Sequence, residues 1–87
     1  MTDQPVSTEQ IRAVRHAREK ELMSKANVVG VGLGLRQRAG QHTGEPALVV
    51  MVSKKVPNEK LSPRDVIPAS LDGVPVDVQE VGELRAF

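Results

Sequence analysis

The stretch NVVGVGLGLR, residues 27–36, decides the fold, because it places three glycines at alternate positions of a β-forming run. Successive side chains of a strand point to opposite faces, so the three glycines share one face. A face without side chains lets another segment of backbone approach closely, so we expect a packing surface there. The alternation predicts one face made of Val28, Gly30, Gly32, Gly34 and Arg36, and the other made of Val29, Val31, Leu33 and Leu35.

The glycine spacing does not fit a phosphate-binding loop. A dinucleotide fingerprint needs G-x-G-x-x-G at a strand-to-helix turn, whereas this stretch reads G-x-G-x-G and continues as strand. The Walker sequence G-x-x-x-x-G-K-[ST] is also missing from the chain. Two occupants of the glycine face remain open at this point, the chain's own helix and a second subunit.

Length and composition indicate one small domain with an aliphatic core. The chain has 87 residues, no Cys, Trp or Tyr, and Phe87 as its single aromatic residue. A core of this size and type has little stability in reserve, so self-association is a natural source of further buried area. The net charge of +1 gives no general attraction to nucleic acid or anionic lipid.

The polar N-terminus MTDQPVSTEQ has no apolar signal-peptide core, and no stretch approaches the roughly 20 apolar residues of a membrane span. We therefore predict a soluble, cytoplasmic protein that does not contact membranes.

The order of elements predicts an α+β fold. We expect a disordered N-terminus over residues 1–7 and a single domain over residues 8–87. A helix runs to Ala26 without Gly or Pro after an N-cap at Ser7 or Thr8. The glycine strand and a second strand, ALVVMVSKK, should pair antiparallel across the polar loop RAGQHTGEP.

Turn chemistry fills the segment that follows. Asn58 and the pair Ser62-Pro63 are each suited to start one helical turn. The dipeptide Asp72-Gly73 is a tight-turn signal before the strand VPVDVQEV, in which Pro75 favours an edge position. The resulting prediction is one N-terminal helix packed on a small three-stranded, mostly antiparallel sheet.

Two arginines interrupt the apolar stripe of the helix. At 100° per residue the stripe contains Ile11, Val14, Ala17, Leu22 and Ala26, and Arg15 and Arg18 fall within it. Their stems can cover the edge of the core while their charges stay in water. The alternative is that this side of the helix faces an acidic partner.

Catalytic and metal-binding patterns are missing from the sequence. His16 has Lys20 rather than a second ligand at i+4, and His42 lies in a Gly-rich loop. No serine has the context of an activated nucleophile. We therefore predict no enzymatic activity, no cofactor and no metal. The basic residues are interleaved with acidic ones and lack aromatic partners, which disfavours nucleic-acid binding but keeps it as a minor alternative.

Three phrases together, NVVGVGLG, LVVMVSKKVP and IPASLDGVPVDVQEVG, resemble the N-terminal region of a bacterial group of trypsin-like serine peptidases and their relatives. The resemblance covers about residues 26–82. It implies an accessory domain that stands alone, and it transfers no catalytic residue to this chain. It also implies a second function, the regulation in trans of such a peptidase.

The leading functional prediction is a non-enzymatic interaction or assembly module that forms a homo-oligomer. Regulation of a peptidase or another protein in trans is the alternative, with nucleic-acid binding below it. The predicted interface consists of Arg15, Arg18, Leu22, Gly30, Gly32, Gly34, Val49 and Met51.

Overall fold

The computed structural model describes residues 7–38 and 41–82, without the side chains of residues 38, 42 and 43. The predicted disorder of residues 1–7 therefore lies outside the described part, apart from Ser7. Within that part, the elements are one helix, four strands and two single-turn 3₁₀ helices. They follow the order α1 (Thr8–Met23), β1 (Val28–Arg38), β2 (Gln41–Val52), Asn58–Lys60, Pro63–Asp65, β3 (Ser70–Leu71) and β4 (Val74–Glu80).

Local sequence signals explain both ends of α1. The Ser7 side chain accepts a hydrogen bond from the Gln10 backbone N–H at 3.1 Å, which confirms the predicted N-cap. The helix ends at Met23 rather than at Ala26. Asn27 then adopts a φ of 68°, the left-handed conformation that asparagine tolerates, and turns the chain into β1. Across the described residues, no helix combines the length and the apolar character that a membrane crossing needs.

The sheet has four strands in the order β1-β2-β4-β3, so the prediction of three mostly antiparallel strands was wrong in detail although the α+β class is confirmed. β1 and β2 pair antiparallel as predicted, but β4 pairs parallel to β2. Residues 53–69 return the chain to the opposite end of the sheet, which makes this parallel pairing possible. The predicted loop between the first two strands is also shorter, because β1 extends to Arg38 and β2 begins at Gln41.

The Asp72-Gly73 turn creates the extra strand. Asp72 and Gly73 have φ values of 49° and 81°, which are the left-handed conformations that a type I′ turn requires at both central positions. Leu71 therefore pairs directly with Val74, and Ser70 with Pro75. A strand of two residues is too short to show any alternation in the sequence.

The core lies between α1 and one face of the sheet. Ile11, Val14 and Leu22 of the helix are buried there, whereas Ala17, which the predicted stripe included, is exposed. A register shift between Val28 and Gly30 places Val28 opposite Val52. Val28 therefore packs against the core, and the prediction that placed it on the glycine face was wrong. The strand residues of the core are Val31, Leu48, Val50, Val52 and Val74, with Leu33, Val76 and Val78 half-buried beside them.

Side chains of β2 occupy the space over the glycines on the opposite face. A Cβ atom added to Gly34 would lie 2.8 Å from Val49 Cγ2, and one added to Gly30 would lie 2.9 Å from Met51 Cε. A Cβ added to Gly32 would meet only Met51 Cε, at 4.0 Å. The glycines thus let the side chains of the neighbouring strand lean across β1.

The sheet also coils over this face, because β4 reaches β1 although β2 lies between them. The Gln37 backbone N–H donates to Asp77 Oδ2 at 3.1 Å, and Gln79 Nε2 donates to Asp77 Oδ2 at 2.9 Å. Gln79 Nε2 also lies 3.4 Å from the Leu35 carbonyl oxygen. Ala47 and Val49, at 0% and 6% exposure, are covered by this arrangement.

We expect the three glycines to differ when each is replaced by alanine. Gly34→Ala should destabilise the fold by about 1–3 kcal/mol, because the β-branched Val49 has little freedom to move. Gly30→Ala should cost less, since the end of the flexible Met51 can shift. Gly32→Ala should leave stability unchanged or raise it by up to about 1 kcal/mol, because alanine loses less conformational freedom on folding. Urea unfolding at low micromolar protein measures all three, and equal losses would contradict this packing.

The bond from β4 to β1 predicts a second stability effect. Asp77→Ala should lower the free energy of unfolding by about 1–2 kcal/mol, because the Gln37 N–H loses a charged acceptor. Asp77→Asn keeps one acceptor oxygen and should restore part of the loss. Amide hydrogen exchange gives a local measurement: Gln37 should exchange faster in Asp77→Ala. Unchanged exchange at Gln37 would rule out the bond in solution.

Candidate functional site

The predicted interface residues lie on two separate surfaces of the domain. Arg15, Arg18 and Leu22 belong to α1, which covers one face of the sheet. The glycines of β1 lie on the opposite face together with Val49 and Met51 of β2. The structure therefore does not bring the predicted residues into one site.

Arg15 binds to β1 from its place on the core-facing side of α1. Its Nε donates to the Val31 carbonyl oxygen at 3.2 Å, and its Nη2 lies 3.6 Å from Glu19 Oε1. β1 is the edge strand of the sheet, and alternate carbonyl groups of an edge strand point away from its neighbour. Arg15 thus binds a carbonyl oxygen of β1 that could otherwise accept a hydrogen bond from an added strand.

Arg18 joins α1 to the β3–β4 turn at the other side of the sheet. Its Nε and Nη2 donate to the two carboxylate oxygens of Asp72 at 3.1 and 3.3 Å, and its Nη1 donates to Glu21 Oε2 at 3.3 Å. The hydrogen bond and the charge of Asp72, and then those of Glu21, raise the pKa of Arg18 above its usual value. Both arginines therefore have partners within the chain.

Leu22 and Val49 are inside the domain, with exposures of 1% and 6%. Gly30, Gly32, Gly34 and Met51 are half-buried on the glycine face. Val81 follows β4 on the same alternation as Asp77 and Gln79, and it is 41% exposed. We refer to Gly30, Gly32, Met51 and Val81 as the glycine–methionine patch.

Asp77 and Gln79 join β4 to β1, and the sequence alone assigned no role to either residue. The alternation of side chains along β4 could have indicated this role. It places both residues on the sheet face opposite Val76 and Val78, the face that also carries the glycines. A polar residue on the same face as three glycines has room to reach across a neighbouring strand.

The described residues near the helix surface and the glycine face also bear on metal binding and nucleic-acid binding. Among the described side chains, no three His, Asp or Glu come close enough together to hold a metal ion. His16 is exposed on α1, and the side chain of His42 lies outside the described part. Arg36, which the nucleic-acid alternative would use, pairs with Glu45 at 3.4 Å.

One family model matches most of the chain. The family model of the NARROW LEAF 1 N-terminal domain matches residues 6–81, from the start of α1 to the end of β4. The chain belongs to this family. No curated protein shows a significant match to the chain.

Membership of the NARROW LEAF 1 N-terminal domain family corrects the resemblance drawn from the sequence. Assignment to a domain of trypsin-like serine peptidases was wrong, because the matching family model is that of a different domain. The quoted phrases are explained by the fold: they encode an edge strand, a central strand and a type I′ hairpin. Such phrases specify a sheet rather than an activity. Peptidase association and a bacterial origin lose their support with this correction.

The Arg18–Asp72 contact predicts coupled stability effects. Arg18→Gln and Asp72→Asn should each lower the urea midpoint slightly, because the pair is solvent-exposed. Asparagine is the matched replacement, since it tolerates the left-handed turn and changes only the charge. The urea midpoint of the double variant should be no lower than that of Arg18→Gln alone. Fully additive shifts would show that the two side chains do not interact in solution.

Proposed function

We propose that this member of the NARROW LEAF 1 N-terminal domain family is a non-enzymatic interaction module that self-associates into a homo-oligomer. The glycine–methionine patch is the proposed contact surface. The helix side is left out of it, because Arg15 and Arg18 are bound within the chain and Leu22 is buried. Regulation of a peptidase is not carried forward, since the resemblance behind it was wrong.

One observation supports the proposal. On the face opposite α1, the three strand pairs Gly30–Met51, Gly32–Val49 and Gly34–Ala47 contain no polar side chain. An antiparallel sheet that faces water normally alternates apolar and polar residues, so that its outer face is polar. At the Gly30 end of this face, Gly30 and Met51 stay half-buried, with Gln79 as the polar neighbour of Met51 on β4.

Two-fold symmetry suits such a surface. In an isologous dimer the same patch of each copy faces the other, so one small apolar patch is sufficient on each chain. The patch is flat because its glycines have no side chains. Met51 supplies a flexible apolar side chain that adapts to the facing surface. We further propose a cytoplasmic location, which fits a chain without cysteine.

Solution mass tests this proposal. Light scattering at increasing protein concentration should show a dimer or a higher oligomer in the micromolar range. Met51→Lys should shift the protein toward the monomer, because assembly would then bury an unpaired charge. Met23→Lys is the matched control: Met23 is also exposed, at 43%, but lies on α1, so this variant should assemble normally.

A glycine substitution gives an independent measurement. Gly32→Val should weaken assembly with unchanged circular dichroism, because the added side chain projects from the patch and has space beside Met51. A wild-type protein that stays monomeric at high micromolar concentration would disprove the proposal. If Met51→Lys and Met23→Lys had the same solution mass, the patch would not be part of the interface.

A further inference from the structure

A pocket of about 180 Å³ opens on the core side of the sheet, at the end where α1 stops. The helix ends at Met23, and residues 53–69 pass around this end with two single-turn helices instead of covering it. The pocket lies between these turns and β4. It is remote from the glycine–methionine patch, which is on the other face of the sheet. We call it the lysine pocket, after Lys54 and Lys55 in its lining.

The floor of the lysine pocket is aliphatic. Val52 is buried, and Ile67 and Val78 pack against the core from half-buried positions. Val56 and Leu61 complete the apolar lining. An apolar cavity of about 150 Å³ is known to accommodate benzene, so this volume fits one aliphatic or aromatic side chain. It is too small for a long acyl chain.

The rim of the lysine pocket is positively charged. No described carboxylate lies within ion-pair distance of Lys54 or Lys55. Asp65 also lines the pocket, and its Oδ1 accepts a hydrogen bond from the Ala26 N–H at 3.1 Å, while Glu80 Oε1 accepts one from the Lys55 N–H at 2.7 Å. Two lysines against one aspartate give the lining a net positive charge, and neither lysine has an ion-pair partner among the described residues, so an acidic ligand group is favoured next to the apolar floor.

The outer edge of β4 beside the pocket offers backbone groups for pairing. β3 pairs only with Val74 and Pro75, and the Val76 N–H donates to the Ala69 carbonyl at 2.9 Å. The backbone N–H of Val76 therefore points away from β2. By alternation, the backbone groups of Val78 and Glu80 point to the same side. In the part of the chain that the structure describes, no strand pairs with that edge beyond Val76. Val78 thus joins the pocket floor to an open strand edge.

We propose that the lysine pocket binds an extended acidic peptide of a partner protein. The peptide adds a strand along Val78 and Glu80, places one aliphatic or aromatic side chain in the pocket, and sets its carboxylates against Lys54 and Lys55. Strand addition supplies main-chain hydrogen bonds, and a side-chain pocket supplies specificity. The charge of the rim selects acidic sequences over neutral ones.

The probe is the peptide Ac-Asp-Asp-Val-Phe-Val-Asp-Asp-NH2, titrated into the full chain. Amide shifts in NMR spectra should concentrate at Val52, Ile67 and Val78, and fluorescence anisotropy should give the affinity. Lys54→Glu and Lys55→Glu should each weaken binding about fivefold or more. Lys20→Glu, an equal charge change on the exposed side of α1, should leave the affinity unchanged. Replacing the peptide's phenylalanine by alanine should abolish the shifts.

Several results would overturn the proposal. Equal weakening by Lys20→Glu would mean that only general charge attraction is measured. Full affinity after N-methylation of the peptide's backbone would exclude strand addition. Octanoate that shifts the same amides while the peptide does not would assign the pocket to a small carboxylate. Met51→Lys keeps the lysine pocket intact, so peptide binding and self-association can fail independently.

Discussion

The packing of β2 side chains over the glycine face of β1 is the constraint on which this domain depends. One helix can cover only one face of a sheet, and the described residues contain a single α-helix. Val49 over Gly34 and Met51 over Gly30 reduce the surface that needs covering, because two strands share the space of one layer of side chains. The coiling that brings Gln37 to Asp77 depends on the same absence of bulk. Glycine here shapes the sheet.

The helix is adapted to this limited core as well. Only Ile11, Val14 and Leu22 of α1 are buried, and two arginines lie along the same side. These arginines reach in opposite directions, to the carbonyl of Val31 and to the turn at Asp72, and so join the helix to both sides of the sheet. Directional polar contacts supplement a small hydrophobic interface. The surfaces that stay open, the glycine–methionine patch and the lysine pocket, lie away from these contacts.

Local chemistry explains which parts of the fold were predictable. The N-cap at Ser7, the glycine strand and the Asp72-Gly73 turn all depend on residues close together in the chain, and all three are present. The parallel pairing of β2 with β4 depends on the path of residues 53–69 across the sheet. No local sequence pattern predicts that path. The bulge that moves Val28 into the core is likewise set by its partner strand. For the candidate site, the glycine face was found, but the contacts of Arg15 and Arg18 were not, because their partners are distant in sequence.

Asp72 has two roles, one within its own turn and one toward the helix. It adopts the left-handed conformation of the turn, and it binds Arg18, from which it is separated by 54 positions in sequence. A change at position 72 therefore acts on the β3–β4 turn and on the attachment of α1 at the same time. An isolated helix of about this length is only marginally stable in water, and contacts between distant residues slow folding. The 16-residue helix α1 therefore depends on its contacts with the sheet, and Asp72 makes the conformation of a two-residue turn a condition for one of those contacts.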